Sequence, residues 1–294
     1  MIIKEFKKEN QQFIEISNNN TKALINLDFG ASLQELFFDG KKIIENQNSL
    51  FKQRYSSALL FPFVNRINDG KYSFNNKEYQ FDCNEPERNN ALHGLVFDKK
   101  FTCIDKKSDD YSATLVLGYN ETQRIKAFPF TYNVQLQYIF TDAKLELKMN
   151  IKNTGTNAFP FTIGWHPYFY SSDLSESKLT FDADKKVIHN KKMITESIEN
   201  YTSDKNLELK NLDDCFHLTN NTINFKTPEY DLEMTSGSAD CYLQIYTPAN
   251  SNNIAIEPLT GISDSFNNKE GLQILQPNKV YSDIWKIELK KQLE

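Results

Sequence analysis

The fold is decided by residues 132–152, YNVQLQYIFTDAKLELKMNIK, which contain two segments of alternating apolar and polar residues. In 132–138, tyrosine, valine and leucine alternate with asparagine and glutamine. In 144–152, leucine, methionine and isoleucine alternate with lysine, glutamate and asparagine. A period of two is typical of half-buried antiparallel strands, with an apolar side toward a core and a polar side toward water. We therefore predict a strand in each segment.

The same pattern continues on both sides of this stretch. Residues 285–290 alternate tryptophan, isoleucine and leucine with lysine and glutamate. We predict further strands over 113–119, 241–247 and 253–257. The 22 Phe and 14 Tyr residues also favour sheets over helices, because aromatic side chains fit a pleated, half-buried surface.

Turn-forming residues separate the predicted strands. The turn NDG at 68–70 leads into a predicted strand at 71–74, and NN at 75–76 leads into a second one at 78–81. No helical pattern exceeds two or three turns, and no linker rich in Pro, Gly or Ser divides the chain. The sequence thus predicts an all-β fold, a large antiparallel β-sandwich, in a single domain spanning residues 1–294.

The composition argues against several classes of function. No apolar run approaches the roughly 18 residues that a membrane span needs, and the N-terminus MIIKEFKKEN lacks the apolar region of a secretory signal. The net charge is −5 with scattered Lys and Arg, which argues against nucleic-acid binding. Cys83, Cys103, Cys215 and Cys241 lack CxxC spacing, so we expect free thiols and no structural zinc. These features predict a cytoplasmic protein that binds neither membranes nor nucleic acid.

Four segments join strand-like apolar sequence to ionisable or rigid residues. The first, LLFPFVNRI at 59–67, contains Arg66, whose planar guanidinium suits hydroxyl or carboxylate oxygens. The alternative is an arginine that reaches solvent or pairs with a structural acid. The second, NALHG at 90–94, places His93 before a glycine that permits close approach of backbone or ligand. The alternative is a core or turn histidine.

The third segment, FTIGWHPYF at 161–169, surrounds His166 with aromatic residues, as in a sugar site or in an ordinary aromatic core. Pro167 restrains His166 to extended geometry and removes a ladder donor, so we expect this stretch to leave the sheet. The fourth, IAIEPLTG at 254–261, ends a strand-like alternation at Glu257. A carboxylate at a buried strand end has a raised pKa or a partner, the environment of a general base. The alternative is a solvent-facing glutamate.

The remaining ionisable candidates carry weaker signals. Asp213 and Asp214 stand together before an aromatic residue, although neighbouring acids in a loop are commonly just solvated. His189 and His217 have polar surroundings, so we expect both on the surface. No histidines or acids share a short metal-ligand spacing, and no nucleophile or nucleotide-binding motif is present. The sequence therefore predicts no metal and no cofactor.

Taken in order, these segments resemble those of the aldose 1-epimerase (galactose mutarotase) family. The resemblance covers essentially the whole chain, and it implies a large β-sandwich whose concave sheet holds a sugar. The matching pieces are GA at 30–31, FPFVNRI at 61–67, DGKYSFNNKEY at 69–79, NALHGLVF at 90–97, GWHPYF at 164–169, LDDCF at 212–216 and EPLTG at 257–261.

The resemblance also implies roles for individual residues. His166 matches the general acid that protonates the ring oxygen O5, and Glu257 matches the general base that acts on the C1 hydroxyl. The residues that it implies in sugar binding are Arg66, His93, Asp213 and Asn65.

These roles agree with the chemistry of mutarotation, in which a hemiacetal opens and recloses while protons move at the C1 hydroxyl and the ring oxygen. The reaction needs an acid and a base, which we expect on opposite sides of the C1–O5 region. We expect His166 to donate near neutral pH, with nearby carboxylates favouring its charged form, and Arg66 to offset developing charge. The sequence thus predicts an isomerase, a monomer or a homodimer, that interconverts the α and β anomers of a free aldohexose such as glucose or galactose.

Two alternatives remain open. A hexose-6-phosphate 1-epimerase would have the same fold, but the relatives of that type usually carry an arginine shortly after their His-Gly, and here Leu95-Val96-Phe97 follows. A carbohydrate-binding protein without activity is the other alternative. The presence of both His166 and Glu257 favours an enzyme, because binding alone needs no acid–base pair.

Overall fold

We describe the protein from a computed structural model that defines residues 1–45, 54–204 and 207–290. In these ranges the chain forms 25 strands and one short helix, α1 (Ser265–Asn268). The strands, in chain order, are β1 (Ile2–Lys8), β2 (Gln11–Ser17), β3 (Thr21–Asn26), β4 (Ser32–Phe38), β5 (Lys41–Ile44), β6 (Ala58–Leu60), β7 (Arg66–Asn68), β8 (Lys71–Phe74), β9 (Lys77–Gln80), β10 (Asn90–Leu92), β11 (Thr102–Ser108), β12 (Ala113–Glu121), β13 (Tyr132–Phe140), β14 (Lys144–Asn153), β15 (Phe159–Phe161), β16 (Gly164–His166), β17 (Tyr168–Tyr170), β18 (Lys178–His189), β19 (Thr195–Asn200), β20 (Asp213–Lys226), β21 (Asp231–Ser236), β22 (Tyr242–Tyr246), β23 (Asn253–Leu259), β24 (Gln273–Leu275) and β25 (Val280–Lys290).

Two antiparallel sheets form the body of the molecule. Strands β1 to β5 make a five-stranded sheet in chain order. The larger sheet has fourteen strands and follows the path β11-β12-β13-β14-β25-β21-β20-β22-β23-β16-β6, with β17 paired to β23 and the β18–β19 hairpin joined to β20. Three ribbons, β7–β10, β8–β9 and β15–β24, complete the strand set of the described ranges. The predicted all-β class is confirmed.

The two sheets share one apolar core. Full burial of a leucine or isoleucine side chain stabilises the folded state by about 1.5–3 kcal/mol, so this layer contributes much of the driving force for folding. The Tyr138 hydroxyl also donates a hydrogen bond of 2.9 Å across the core to the Ala31 carbonyl. Buried residues that the two sheets contribute include Ile14, Ile25 and Leu36 from β2 to β4 and Leu117, Leu136 and Leu147 from β12 to β14.

The alternation in 132–152 has the predicted consequence. Each second residue of β13, from Tyr132 to Phe140, is buried, and the residues between them are partly exposed. Strand β14 pairs antiparallel with β13, so that Leu136 lies opposite Met149. The other predicted strands correspond to β12, β22, β23 and β25, and the predicted hairpin to β8–β9.

The expectation that the chain leaves the sheet at Pro167 is wrong. The proline interrupts the strand, but the segments on either side, β16 and β17, both pair with β23. The carbonyl of Pro167 itself accepts a hydrogen bond of 3.3 Å from the backbone N–H of Ile256. Loss of one ladder donor therefore divides the strand without displacing it.

The face of the large sheet opposite the main core carries a second, smaller apolar cluster. Residues of β20, β22 and β23 alternate between the two faces: Phe216, Leu243 and Ile256 belong to the main core, whereas Cys215 and Tyr242 belong to the smaller cluster. The same alternation places some polar side chains of β20, β22 and β23 on the face opposite the main core, where the sheet holds them in position.

The cysteines are free thiols, as predicted: Cys215 and Cys241 are buried, and Cys83 and Cys103 are partly exposed. No helix of the described ranges has both the length and the apolar character that a membrane crossing requires.

Candidate active site

Neighbouring strands bring His166 and Glu257 together. Strands β16 and β17 keep one register against β23 on both sides of Pro167, with Gly164 paired to Leu259 at one end. Continuation of this register places His166 directly across from Glu257. Directly opposed residues of antiparallel strands have their side chains close together on the same face.

The two side chains lie in contact inside the protein. His166 Nε2 is 3.4 Å from Glu257 Oε1, and the residues are 4% and 2% exposed. The acid and the base therefore lie side by side, and their placement on opposite sides of the C1–O5 region of a sugar stays a prediction. Cross-strand pairing puts both groups in one wall of the cavity.

Burial favours the neutral form of both groups. Burial, together with the nearby charge of Arg66, lowers the pKa of His166 to about 3. Burial also raises the pKa of Glu257 well above its ordinary value, and the neighbouring Asp213 adds to this, while Arg66 acts in the opposite direction. Nearby carboxylates therefore do not hold the imidazole in its charged form as expected, because the loss of solvation dominates its pKa.

Asp213 and Gln244 extend the polar surface from β23 to the next strands. Gln244 on β22 lies opposite Glu257, and its Nε2 donates a hydrogen bond of 2.8 Å to Asp213 Oδ1 on β20. The side-chain amide of Asn65 donates to Gln244 Oε1 at 3.1 Å. Burial raises the pKa of Asp213, although Arg66 opposes this effect. The carboxylate and the side-chain amides are thus held in fixed positions by their mutual hydrogen bonds.

Arg66 is held by a carboxylate that the sequence did not reveal. Its Nε donates to both oxygens of Glu85 at 3.0 and 2.9 Å, and its Nη2 donates to Glu85 Oε1 at 2.8 Å. Its Nη1 donates to Asn65 Oδ1 at 3.0 Å. Of the alternatives for Arg66, the structure thus shows pairing with an acid, at a side chain that is 12% exposed and lines the cavity.

His93 reaches the same cavity through strained backbone. His93 and Asn65 have φ angles of 63° and 51°, in the left-handed region that few residues other than glycine adopt. The His93 N–H donates to the Asn65 carbonyl at 2.9 Å, which couples the two turns. At Gly94 a Cβ atom would lie 2.2 Å from the Phe61 carbonyl oxygen, so only glycine permits this close approach.

Aromatic rings line the wall around the histidines. The Tyr168 ring stacks on His166 with centroids 5.0 Å apart and planes at 17°. The His93 ring meets His166 edge-on at 5.1 Å. Trp165 and Phe169, in contrast, belong to the main core. The segment around His166 is therefore part of the aromatic core and part of the candidate site. Residues alternate between the two faces of the strand, so some rings face the core and others face the cavity.

All six candidate residues line one cavity of about 380 Å³, a size typical of small-ligand sites. Glu85 and Gln244 also line it and were not predicted from the sequence, whereas Tyr168 was expected only as one of the aromatic residues around His166. Gln244 interrupts the apolar residues of β22, which is a usable signal, whereas nothing in the charged loop around Glu85 distinguishes that residue from its neighbours. The residues that the sequence predicted and the cavity brings together are Asn65, Arg66, His93, His166, Asp213 and Glu257.

The two other histidines are partly exposed, which agrees with the expectation that they lie on the surface. Burial lowers the pKa of His189 to about 4, with a further contribution from Arg66. His217 lies between Asp184 and Asp240, at 2.7 and 2.8 Å. Neither histidine lines the cavity.

Among the residues that the structure describes, no three His, Cys, Asp or Glu side chains form a group that could hold a metal ion. What the cavity does offer is a buried pair of titratable groups within proton-transfer distance, next to a cation and several amide and carboxylate groups. Such a set can move protons between two oxygens of a ligand that presents hydroxyl groups.

Comparison with known proteins agrees with this combination of fold and cavity. The sequence profile of the aldose 1-epimerase family matches residues 12–288. The chain therefore belongs to the aldose 1-epimerase family. It is 24% identical to the uncharacterised protein YihR of Escherichia coli K12, over 87% of each chain.

Solved structures show the same fold. A galactose mutarotase-like protein from Clostridium acetobutylicum superposes with a TM-score of 0.89 at 23% identity, covering 99% of both chains. The galactose 1-epimerase of Lactobacillus acidophilus superposes with a TM-score of 0.79 at 15% identity, covering 98% of both chains. The galactose mutarotase-like architecture that the sequence predicted is confirmed.

Proposed function

We propose that this protein is an aldose 1-epimerase that interconverts the α and β anomers of a free aldohexose, with His166 and Glu257 as its acid–base pair. The observation that carries the proposal is the contact of 3.4 Å between these two buried side chains in one wall of the cavity. O1 and O5 of a pyranose are bonded to the same carbon. Two adjacent side chains can therefore reach both oxygens from one side, without enclosing the ring.

Each step of the reaction balances on this pair. The Glu257 carboxylate removes the proton of the C1 hydroxyl, the C1–O5 bond breaks with its electrons on O5, and the His166 imidazolium protonates O5. The product is an open-chain aldehyde beside a neutral histidine and a neutral glutamic acid. After rotation about C1–C2, O5 attacks the other face of C1, His166 takes the O5 proton and Glu257 returns its proton to O1.

The proton state that burial favours fits this cycle. A neutral histidine beside a neutral glutamic acid holds the same number of protons as an imidazolium beside a carboxylate. Transfer of one proton across the 3.4 Å contact interconverts the two states. The ion pair acts on the closed ring and the neutral pair acts on the aldehyde, so neither half of the cycle requires exchange with solvent.

The other polar groups of the cavity hold the sugar. Arg66 and His93 lie next to His166 and face O5, where negative charge develops as the C1–O5 bond breaks. Asp213, Gln244 and Asn65 supply oxygens and amide donors for the remaining hydroxyls, from positions fixed by their mutual hydrogen bonds. Gln244 thus joins the residues to which the family resemblance assigned a role in sugar binding.

The charges of the cavity favour an uncharged sugar. Arg88 lies 3.7 Å from Glu87, and both Arg66 and Arg88 bind Glu85, at 2.8 and 2.9 Å. A phosphate monoester would have to compete with this carboxylate for both cations. Arg54 also lines the cavity, which is the observation that keeps a hexose 6-phosphate as the second candidate substrate.

Anomer exchange measured by NMR at equilibrium tests the proposal. The panel should contain glucose, galactose and glucose 6-phosphate, each with and without the protein in the same buffer. We expect exchange faster than the buffer blank for at least one free aldohexose, and a smaller or no acceleration for the phosphate. Acceleration of the phosphate alone would establish the second candidate. Sugar binding without any acceleration would instead identify a binding protein and overturn the proposal.

A further inference from the structure

Glu85 is a buried carboxylate that the reaction scheme leaves without a role. It is 4% exposed and lies in the segment between β9 and β10. Besides Arg66, it accepts hydrogen bonds of 2.9 Å from Arg88 Nη1 and from Asn90 Nδ2. Burial alone would raise the pKa of Glu85, but these donors outweigh it and the pKa is lowered. Glu85 is thus a fixed anion at the back of the cavity.

The bonds to Glu85 determine which way Arg66 points. A guanidinium has five N–H donors in one plane. Glu85 takes the Nε donor and one Nη2 donor, and Asn65 takes one Nη1 donor. One donor on each terminal nitrogen is left without a partner among the described residues. Because the guanidinium is planar, fixing its Glu85 edge also fixes the direction of these two donors.

Glu85 also decides how much positive charge reaches the acid–base pair. Arg66 acts to lower the pKa of His166 and that of Glu257. An uncompensated arginine would do so more strongly, which would stabilise the Glu257 carboxylate and weaken it as a base. A carboxylate in direct contact with the guanidinium reduces this field.

We propose that Glu85 is a positioning residue of the sugar site, which orients the two remaining donors of Arg66 and compensates its charge at the His166–Glu257 pair. This inference rests on the proposed function, but its electrostatic half concerns the protein alone. Glu85 touches neither His166 nor Glu257 in the structure, so it acts through Arg66.

Several other titratable or charged groups lie near Glu85 and near the His166–Glu257 pair. A test of Glu85 must leave the charges of these groups unchanged. The pair itself is surrounded by His93, Arg66, Asp213, Tyr168 and Cys215. Glu85 is near Arg66, Arg88, Tyr55 and Asp213. A substitution of Glu85 that preserves its size changes only one charge among them.

The variant Glu85→Gln tests the proposal, because it keeps the side-chain size and removes the charge. We expect kcat/KM to fall by about 10–100-fold, since a small misplacement of an oriented group has effects of this order. We also expect both limbs of the pH–rate profile to move to lower pH, by about one unit, because uncompensated Arg66 disfavours every proton on the pair. Glu85→Asp retains the charge, so the limbs of its pH–rate profile should lie where they do in the wild type. Its kcat/KM should still be reduced, because the shorter side chain does not orient Arg66 in the same way.

Asp82→Asn is the matched control. Asp82 is exposed on the same segment, and its substitution changes the net charge of the protein equally. This variant should leave both the rate and the limbs unchanged. Thermal unfolding of all three variants distinguishes loss of the site from loss of the fold.

A titration of Glu257 by carbon-13 NMR of the carboxyl group separates this inference from the proposed function. In Glu85→Gln the midpoint should fall relative to the wild type, whether or not the wild type accelerates anomer exchange. An unchanged midpoint in a folded Glu85→Gln variant overturns the inference, even if the rate falls. A wild type without activity but with the shifted midpoint overturns only the proposed function.

Discussion

Within the described ranges, histidines contact carboxylates at two places, and the surroundings of these two places differ. In the cavity, His166 touches Glu257, and both are almost completely buried. On the outer part of the large sheet, His217 lies between Asp184 and Asp240, with side chains that are 24%, 48% and 61% exposed. Both places join an imidazole to carboxylates, and the distances at the outer contact are shorter.

The two contacts shift the pKa of their histidines in opposite directions. Partial burial works against protonation of His217, but the hydrogen bonds to Asp184 and Asp240 outweigh it and raise its pKa. At His166 burial is nearly complete and the pKa falls to about 3. The balance between desolvation and bonds to carboxylates therefore decides whether a histidine of this protein is charged.

The largest expected effect is the loss of activity when either partner of the buried pair is removed. His166→Ala and Glu257→Gln should each lower kcat for anomer exchange by about 10²–10⁴-fold, since each deletes one of the two groups that transfer protons. The effects should not add in the double variant, because one partner cannot complete the cycle alone. Single variants that fold and retain near-normal rates would show that the buried contact is not the catalytic one.

The second prediction concerns the titration of the histidines. Nitrogen-15 NMR should show His217 protonated at pH 6.5, His189 neutral until the pH falls to about 4, and His166 neutral until it falls to about 3.

The pH–rate profile gives a second readout. The His166–Glu257 pair shares one proton, and His166 takes up a second one only near pH 3, so we expect no loss of kcat/KM around pH 6.5. The alkaline limb reflects the loss of the shared proton and lies well above the ordinary pKa of a glutamate. An acid limb centred near 6.5 would mean that His166 is solvated.

The same contrast explains what the sequence could and could not predict. Periodicity predicted the strands because alternation in β13 and β14 is a local property of the chain. The candidate residues were found because Arg66, His93, His166 and Glu257 interrupt apolar strand sequence, and because their order matches a known family. Proton state was not predictable in this way. It depends on how completely the fold encloses each histidine, and His166 and His217 differ in that respect only in three dimensions. Glu85 was missed because its bond to Arg66 joins a loop to a strand.

A third prediction separates catalysis from stability at the buried pair. The folded-state pKa of Glu257 is raised above its unfolded value, so the stability associated with this carboxyl is fully present below about pH 4.3 and is lost as the pH rises toward the folded-state pKa. Glutamine has no proton to lose. Glu257→Gln should therefore have a higher Tm than the wild type at pH 8, by roughly 2 °C or more, and nearly the same Tm at pH 4. A variant that is less stable at pH 8 would show that Glu257 is not desolvated in the folded protein.

The smallest expected effect belongs to the exposed contact, and it has the opposite sign. The folded-state pKa of His217 is raised, so the stability from its charged contacts with Asp184 and Asp240 is present below the unfolded value of about 6.5 and is lost as the pH rises through the folded-state value. Because all three side chains are partly exposed, solvent screening keeps this contribution small. His217→Gln should thus lower the Tm slightly at pH 6, leave it unchanged at pH 9 and leave anomer exchange unaffected. A loss of activity in this variant would mean that the outer contact and the cavity are coupled through β20, and the two regions would then not be independent.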